Sequence, residues 1–172
     1  MGASTKLAPL HRFNALSGAD AEASLMACCA STEWAHTVAA GRPYASAVDL
    51  LDAADAACRA LTEADVADAL SAHPRIGERT SGASTEAQWS RAEQASVSES
   101  DAHIQEELHA GNLAYERRFG RVFLVRTAGR SPVDMLAELR RRLDNEPEAE
   151  LREVTEQLCQ ITLLRLERLL AR

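Results

Sequence analysis

From Glu148 to Leu170 the chain places Leu151, Val154, Leu158, Ile161, Leu164, Leu166 and Leu169 along one side of a helical period, with no glycine or proline between them. A stripe this long demands other apolar faces to cover it. Aromatic residues make up only 4% of the sequence, so those faces must be built from Leu, Ala and Val, a mixture that favours helix over sheet. The expectation is an all-α fold, a single domain over residues 1–172 made of about eight helices with little or no sheet. At 172 residues it can bury a core without disulfide or metal staples.

Local signals divide the rest of the chain. After a short extended lead, Ser17-Gly-Ala-Asp20 reads as a helix entry, and Ser31 as the cap of "TEWAHTVAA", closed by Gly41. A helix over roughly 46–60 would turn Val48, Leu51, Ala54 and Ala57/Cys58 to one face. Thr62, with Asp65 in the capping-box place, opens a helix that Pro74 must stop near Ala72. Residues 74–83, including Arg79, read as loop, and helix resumes near Thr85 through "EAQWSRAEQASV". A long helix runs from about Asp101 to Phe119 and ends at Gly120. "RVFLVRTAG" has strand character but is too short and solitary to found a sheet. Ser131-Pro132 starts a helix that reaches about Leu143.

The formal net charge of -7 argues against a general nucleic-acid binder, which needs a basic surface for phosphates. Cys28, Cys29, Cys58 and Cys159 form no CxxC pair, so buried reduced thiols are expected rather than a zinc site or a disulfide framework. No run approaches the length of a membrane span, and "MGASTKLAPLHRFN" lacks the apolar stretch of a secretory signal. The cytoplasm is the expected location.

"SAHPRIGERTSGASTEAQWSRAEQA" does not read as packing. His73 sits against Pro74 at a helix end, where the dipole alone would justify a histidine. It is also the side chain whose pKa suits proton transfer near neutrality, and Gly77 lets the following backbone approach a ligand closely. Ser90, Glu93 and Gln94 stand at i, i+3 and i+4 on one helical face within reach of that loop. Arg165 interrupts the apolar "ITLLRLERLL", either snorkelling over leucines or turning inward as a fixed cation. Glu106-x-x-His109 is a single copy of a pair that di-iron bundles use twice, and reads as surface.

Taken together, His73-Pro74-x-x-Gly77 followed by Ser90 and Glu93-Gln94 resembles the active-site signature of the OHCU (2-oxo-4-hydroxy-4-carboxy-5-ureidoimidazoline) decarboxylase family. "FNAL", "CCASTEWA" with "GRPY", "NLAYERRFG" with Val122-Phe123, "GRSPVDMLAELRRRLDN" and "LRLERLL" follow in that family's order, from about residue 11 to 170. The resemblance implies cofactor-free decarboxylation of OHCU to S-allantoin in urate degradation, with His73 as general acid/base and Glu93 orienting it or the substrate. Ser90 and Gln94 would hydrogen-bond the imidazolone or ureido group, and Arg165 an anionic or carbonyl edge. Pro74 and the backbone around Phe119, Gly120, Val122 and Phe123 would complete the pocket. The family also implies a homodimer.

Two alternatives remain at this point. One is a hydrolase of a neighbouring purine-ring intermediate, with His73 and Glu93 activating water. The other is a helical interaction module whose polar face is only surface.

Overall fold

Side-chain caps set most of the helix starts. Ser17, Ser31, Ser46, Ser84 and Ser131 each accept the backbone N–H three residues on, and Thr62 and Asp65 exchange bonds of 3.0 and 3.2 Å in the reciprocal capping arrangement. Each such cap stabilises its helix by about 1 kcal/mol, enough to fix where it begins. The computed structural model describes residues 4–78, 81–98 and 102–172; Arg79 and Asp101 lie outside them. Among the described residues there are ten α-helices and no strand, an all-α fold. In chain order they are α1 Ser4–Ala15, α2 Gly18–Met26, α3 Thr32–Ala40, α4 Ala47–Arg59, α5 Glu63–Ser71, α6 Thr85–Glu93, α7 Ala95–Ser98, α8 Ala102–Phe119, α9 Pro132–Leu143 and α10 Pro147–Leu170.

Two boundaries and one buried face differ from the sequence expectation. The lead is helical, not extended: α1 contains Pro9, and no local signal starts it, but it buries Leu10 and Phe13. Packing of that face overrides a poor helical sequence. On α4 the buried stripe is Leu50, Ala54 and Cys58, while Val48 is 62% exposed. The helix is thus rotated from the face its outermost valine suggested. Finally, the helix from Thr85 breaks at Gln94 (φ -102°, ψ 8°) and restarts as α7.

The chain forms two compact units, Met1–Ala69 with Cys159–Arg172, and Leu70–Leu158. In the first, α3 packs against α2 and α4. Trp34 is fully buried and its indole N–H bonds Ala54 O at 3.0 Å. Arg42 closes two helix ends at once, donating to Phe13 O (3.0 Å) in the last turn of α1, to Leu16 O (2.7 Å) just beyond it and to Ala39 O (2.9 Å) in α3. Phe13 O and Ala39 O also accept backbone N–H groups of the closing turns, from Leu16 and Arg42, so the guanidinium reinforces ends that are already capped.

In the second unit α8 packs on α9 around Leu108, Tyr115, Phe119, Phe123, Val125, Met135, Leu136 and Leu139. The approach is close: a Cβ at Gly111 would stand 2.5 Å from Leu139 Cδ2. The core also takes in Ile76 and Val97, so the loop after His73 and the helix α7 are sewn into it.

The segment with strand character, Arg121 to Thr127, forms neither helix nor strand although Phe123, Leu124 and Val125 are buried. Buried backbone polar groups need partners. Here side chains supply them in place of a neighbouring strand: Arg142 Nη1 donates to Leu124 O at 2.7 Å, and Gln157 Oε1 accepts from Arg126 N–H at 2.8 Å.

Candidate active site

The His73 loop begins where Pro74 forbids further helix, and His73 N–H closes the end of α5 by bonding Leu70 O at 3.0 Å. Three ties then fix the loop. Arg75 makes a bidentate ion pair with Glu116 of α8, at 2.5 and 2.9 Å. Ile76 O accepts from Asn112 Nδ2 at 2.9 Å, and Gly77 N–H donates to Gln94 Oε1 at 2.9 Å. Gly77 sits at φ +87°, a conformation that side-chain-bearing residues adopt only at a cost. That turn is what aims its N–H at Gln94.

This last bond brings the loop against the end of α6, where Ser90, Glu93 and Gln94 lie. Gln94 is itself the C-cap of α6, at the helix break, rather than a further residue of an unbroken face. His73, Ser90 and Gln94 are all buried, while Glu93 and Pro74 are half-buried. Burial takes the His73 imidazole out of bulk water and into surroundings where electrostatic effects on a titratable ring are stronger.

The end of α8 meets the same core. Phe119 and Phe123 flank Tyr115, with ring centroids 4.8 and 5.3 Å from it, and share the apolar cluster with Ile76 of the loop. Gly120 is exposed and its N–H bonds Glu116 O at 2.8 Å; Val122 is half-buried. Arg165 belongs to the other unit, where it is buried in α10. There burial pushes the Cys28 thiol up to about 12 and Cys29 to about 11, with the Arg165 charge opposing both. Inward placement, rather than snorkelling, is what the structure gives for this arginine.

Sequence reading missed the residues that hold the loop. Asn112 continues the buried face of Leu108, Tyr115 and Phe119 on α8, so a polar residue on an apolar stripe was the available signal. Glu116 follows one turn later; the hydrogen bond from Arg75 holds its carboxyl below the usual range. Behind the loop lies a cavity of about 140 Å³ lined by Arg75 to Glu78 and by Gln105, His109 and Asn112 of α8. Among the described residues no three His, Cys, Asp or Glu side chains are grouped to hold a metal ion.

Comparison with known proteins gives the family of the chain. The family model described as OHCU decarboxylase matches residues 14–167, nearly the whole chain and both of its units. The chain belongs to the OHCU decarboxylase family. It is 30% identical over 133 residues to the 2-oxo-4-hydroxy-4-carboxy-5-ureidoimidazoline decarboxylase of Haloferax volcanii, covering 77% of each chain. It is 32% identical over 145 residues to the uric acid degradation bifunctional protein of Arabidopsis thaliana, covering 83% of this chain but only 45% of that longer protein. Among solved structures, an OHCU decarboxylase crystallised in the presence of (S)-allantoin aligns with TM-score 0.74 and 27% identity, over 86% of this chain and 96% of that one. An (S)-allantoin synthase shares the fold, with TM-score 0.69 at 18% identity over 93% of this chain and 53% of its own.

Proposed function

We propose that this chain catalyses the decarboxylation of OHCU to S-allantoin and CO2. The observation that carries the reading is the Gly77 to Gln94 hydrogen bond, which ties the loop that follows His73 to the end of the helix that also carries Ser90 and Glu93, in a chain whose family match spans residues 14–167. The extent of that match also supports treating residues 1–172 as one functional domain.

The substrate supplies its own electron sink. Its carboxylate sits on a carbon that bears a hydroxyl and adjoins a ring C=N bond. When the bond to CO2 breaks, the electron pair forms a new C=C bond and the C=N pair moves onto nitrogen, which takes up a proton. The 4-hydroxyl then yields its proton as the carbonyl forms, and the neighbouring carbon receives one on a single face. The sum is one substrate anion plus one proton giving allantoin and CO2. No cofactor enters this chemistry, so the protein's task is to bind an anion and place protons.

In this reading His73 is the general acid/base at the 4-hydroxyl and Glu93 orients it or the substrate. Ser90 and Gln94 hydrogen-bond the imidazolone or ureido group. Pro74, Phe119, Gly120, Val122 and Phe123 form the wall, and Arg165, carried over from the family resemblance, binds an anionic or carbonyl edge. A well-placed proton carrier contributes about 10²- to 10⁴-fold, and orientation supplies much of the rest. The same resemblance supports a homodimer. No helix among the described residues is long and apolar enough to cross a membrane.

Generating OHCU in place and measuring CO2 release tests the activity. Release faster than the spontaneous rate, stoichiometric with allantoin, is expected. Consumption of OHCU without CO2 would instead identify a hydrolase.

A further inference from the structure

We propose that Arg142 and Gln157 are positioning residues: they hold the extended segment Arg121 to Thr127 so that the backbone from Phe119 to Phe123 presents a fixed wall to the substrate. This rests on the reading of that backbone as part of the OHCU pocket.

The argument begins with an arginine whose burial needs explaining. Arg142 has an exposure of 0%, and so has its partner Glu150. Its Nε donates to Glu150 Oε1 at 2.9 Å, Nη2 also reaches Glu150, and Tyr115 OH donates to the same carboxylate oxygen. An ion pair so buried gains little net stability over apolar residues of the same shape, because both charges are stripped of water. What apolar residues could not supply is the third arm, Nη1 on Leu124 O. The guanidinium also stacks 4.7 Å from the Phe123 ring centroid, so one side chain grips the segment by carbonyl and by ring.

Gln157 grips it two residues later, through Arg126 N–H. Neither helix nor strand fixes this segment, so side chains set its path. The His73 loop is secured separately, by Glu116, Asn112 and Gln94. Loosening the wall should therefore weaken substrate binding while leaving proton transfer intact.

Steady-state kinetics on Gln157→Leu, Gln157→Glu and Arg142→Lys, each checked for folding by far-UV circular dichroism, decides the matter. Gln157→Leu removes the acceptor; KM should rise about tenfold, the worth of one ordinary hydrogen bond, with kcat within about threefold of wild type. Gln157→Glu keeps an acceptor oxygen and should return KM to within about threefold of wild type. Arg142→Lys cannot span both Glu150 and Leu124 O, and should raise KM likewise. A role confined to stability would lower Tm and leave KM unchanged, and that result in Gln157→Leu, with wild type active, overturns this inference but not the decarboxylase assignment. Should Arg142→Lys fail to fold, the Gln157 pair still decides. A wild type without turnover of OHCU overturns the functional reading and this inference with it.

Discussion

Gly77 N–H and Gln94 Oε1 lie 2.9 Å apart, and this single bond joins a loop to a helix end seventeen positions later in the chain. It couples the residue that turns the His73 loop to a residue proposed to touch substrate. Substitutions that disturb the loop should therefore show in catalysis as well as in stability.

Two glycine-to-alanine changes make the contrast. Gly77→Ala puts a Cβ at φ +87° without a steric clash, Val97 Cγ1 being 3.5 Å away, so it costs only backbone strain of about 1–2 kcal/mol. Gly111→Ala drives a Cβ to 2.5 Å from Leu139 Cδ2, offset in part by about 1 kcal/mol of helix propensity. Urea melts should find Gly77→Ala destabilised by about 1–2 kcal/mol, and kcat should fall at least about tenfold for Gly77→Ala but not for Gly111→Ala, since a small misplacement of a catalytic group is costly.

The Arg75–Glu116 pair should make the loop sensitive to acid. Glu116 has a lower pKa folded than unfolded, chiefly through the hydrogen bond from Arg75, against an ordinary value of 4.5. Its contribution is therefore complete above pH 4.5 and is lost as pH falls through the lowered folded value. Both side chains are partly exposed, so solvent screens the pair and the effect is small. The difference in Tm between wild type and Glu116→Gln should shrink between pH 6 and pH 3; a constant difference would contradict it.

Removing one partner of the Arg142–Glu150 pair should be severe. Glu150→Ala leaves a buried guanidinium without its carboxylate and should cost about 3–5 kcal/mol in chemical denaturation. By comparison Glu138→Ala, which removes one of two carboxylates from the half-exposed Arg141, should cost less than about 1 kcal/mol.

All four thiols are buried and unpaired. Burial pushes Cys28 and Cys29 up to about 12 and 11, and a hydrogen bond with Cys159, followed by burial, raises Cys58. The native protein should not react with an aromatic disulfide reagent at pH 8, and should yield four equivalents once denatured. Prompt reaction of a native thiol would show that a thiol-bearing face opens.

Helix starts were legible in the sequence because a cap is a local event: Ser31, Thr62 and Ser131 act on residues three positions away. The lead helix α1 was not, since only the burial of Leu10 and Phe13 sustains it. The His73 loop and the Ser90, Glu93, Gln94 end of α6 stood out as polar groups that no core requires. Their anchors did not, because Asn112 and Glu116 are about forty residues away in sequence from the atoms they hold. Arg140, Arg141 and Arg142 are adjacent and identical in the sequence, yet exposure falls from 60% and 51% to 0% along them. Only projection on α9, where Arg142 stands seven positions after buried Met135 and three after buried Leu139, separates the third from the others.

The most direct test is to generate OHCU from urate in place, with chelator present, and to follow the circular-dichroism signal of S-allantoin with wild type and His73→Ala. Wild type should produce the signal far faster than the spontaneous background, and His73→Ala should lose about 10²- to 10⁴-fold of that rate while remaining folded. A wild-type reaction indistinguishable from the racemic background would contradict the account, and a fully active His73→Ala would remove its central residue.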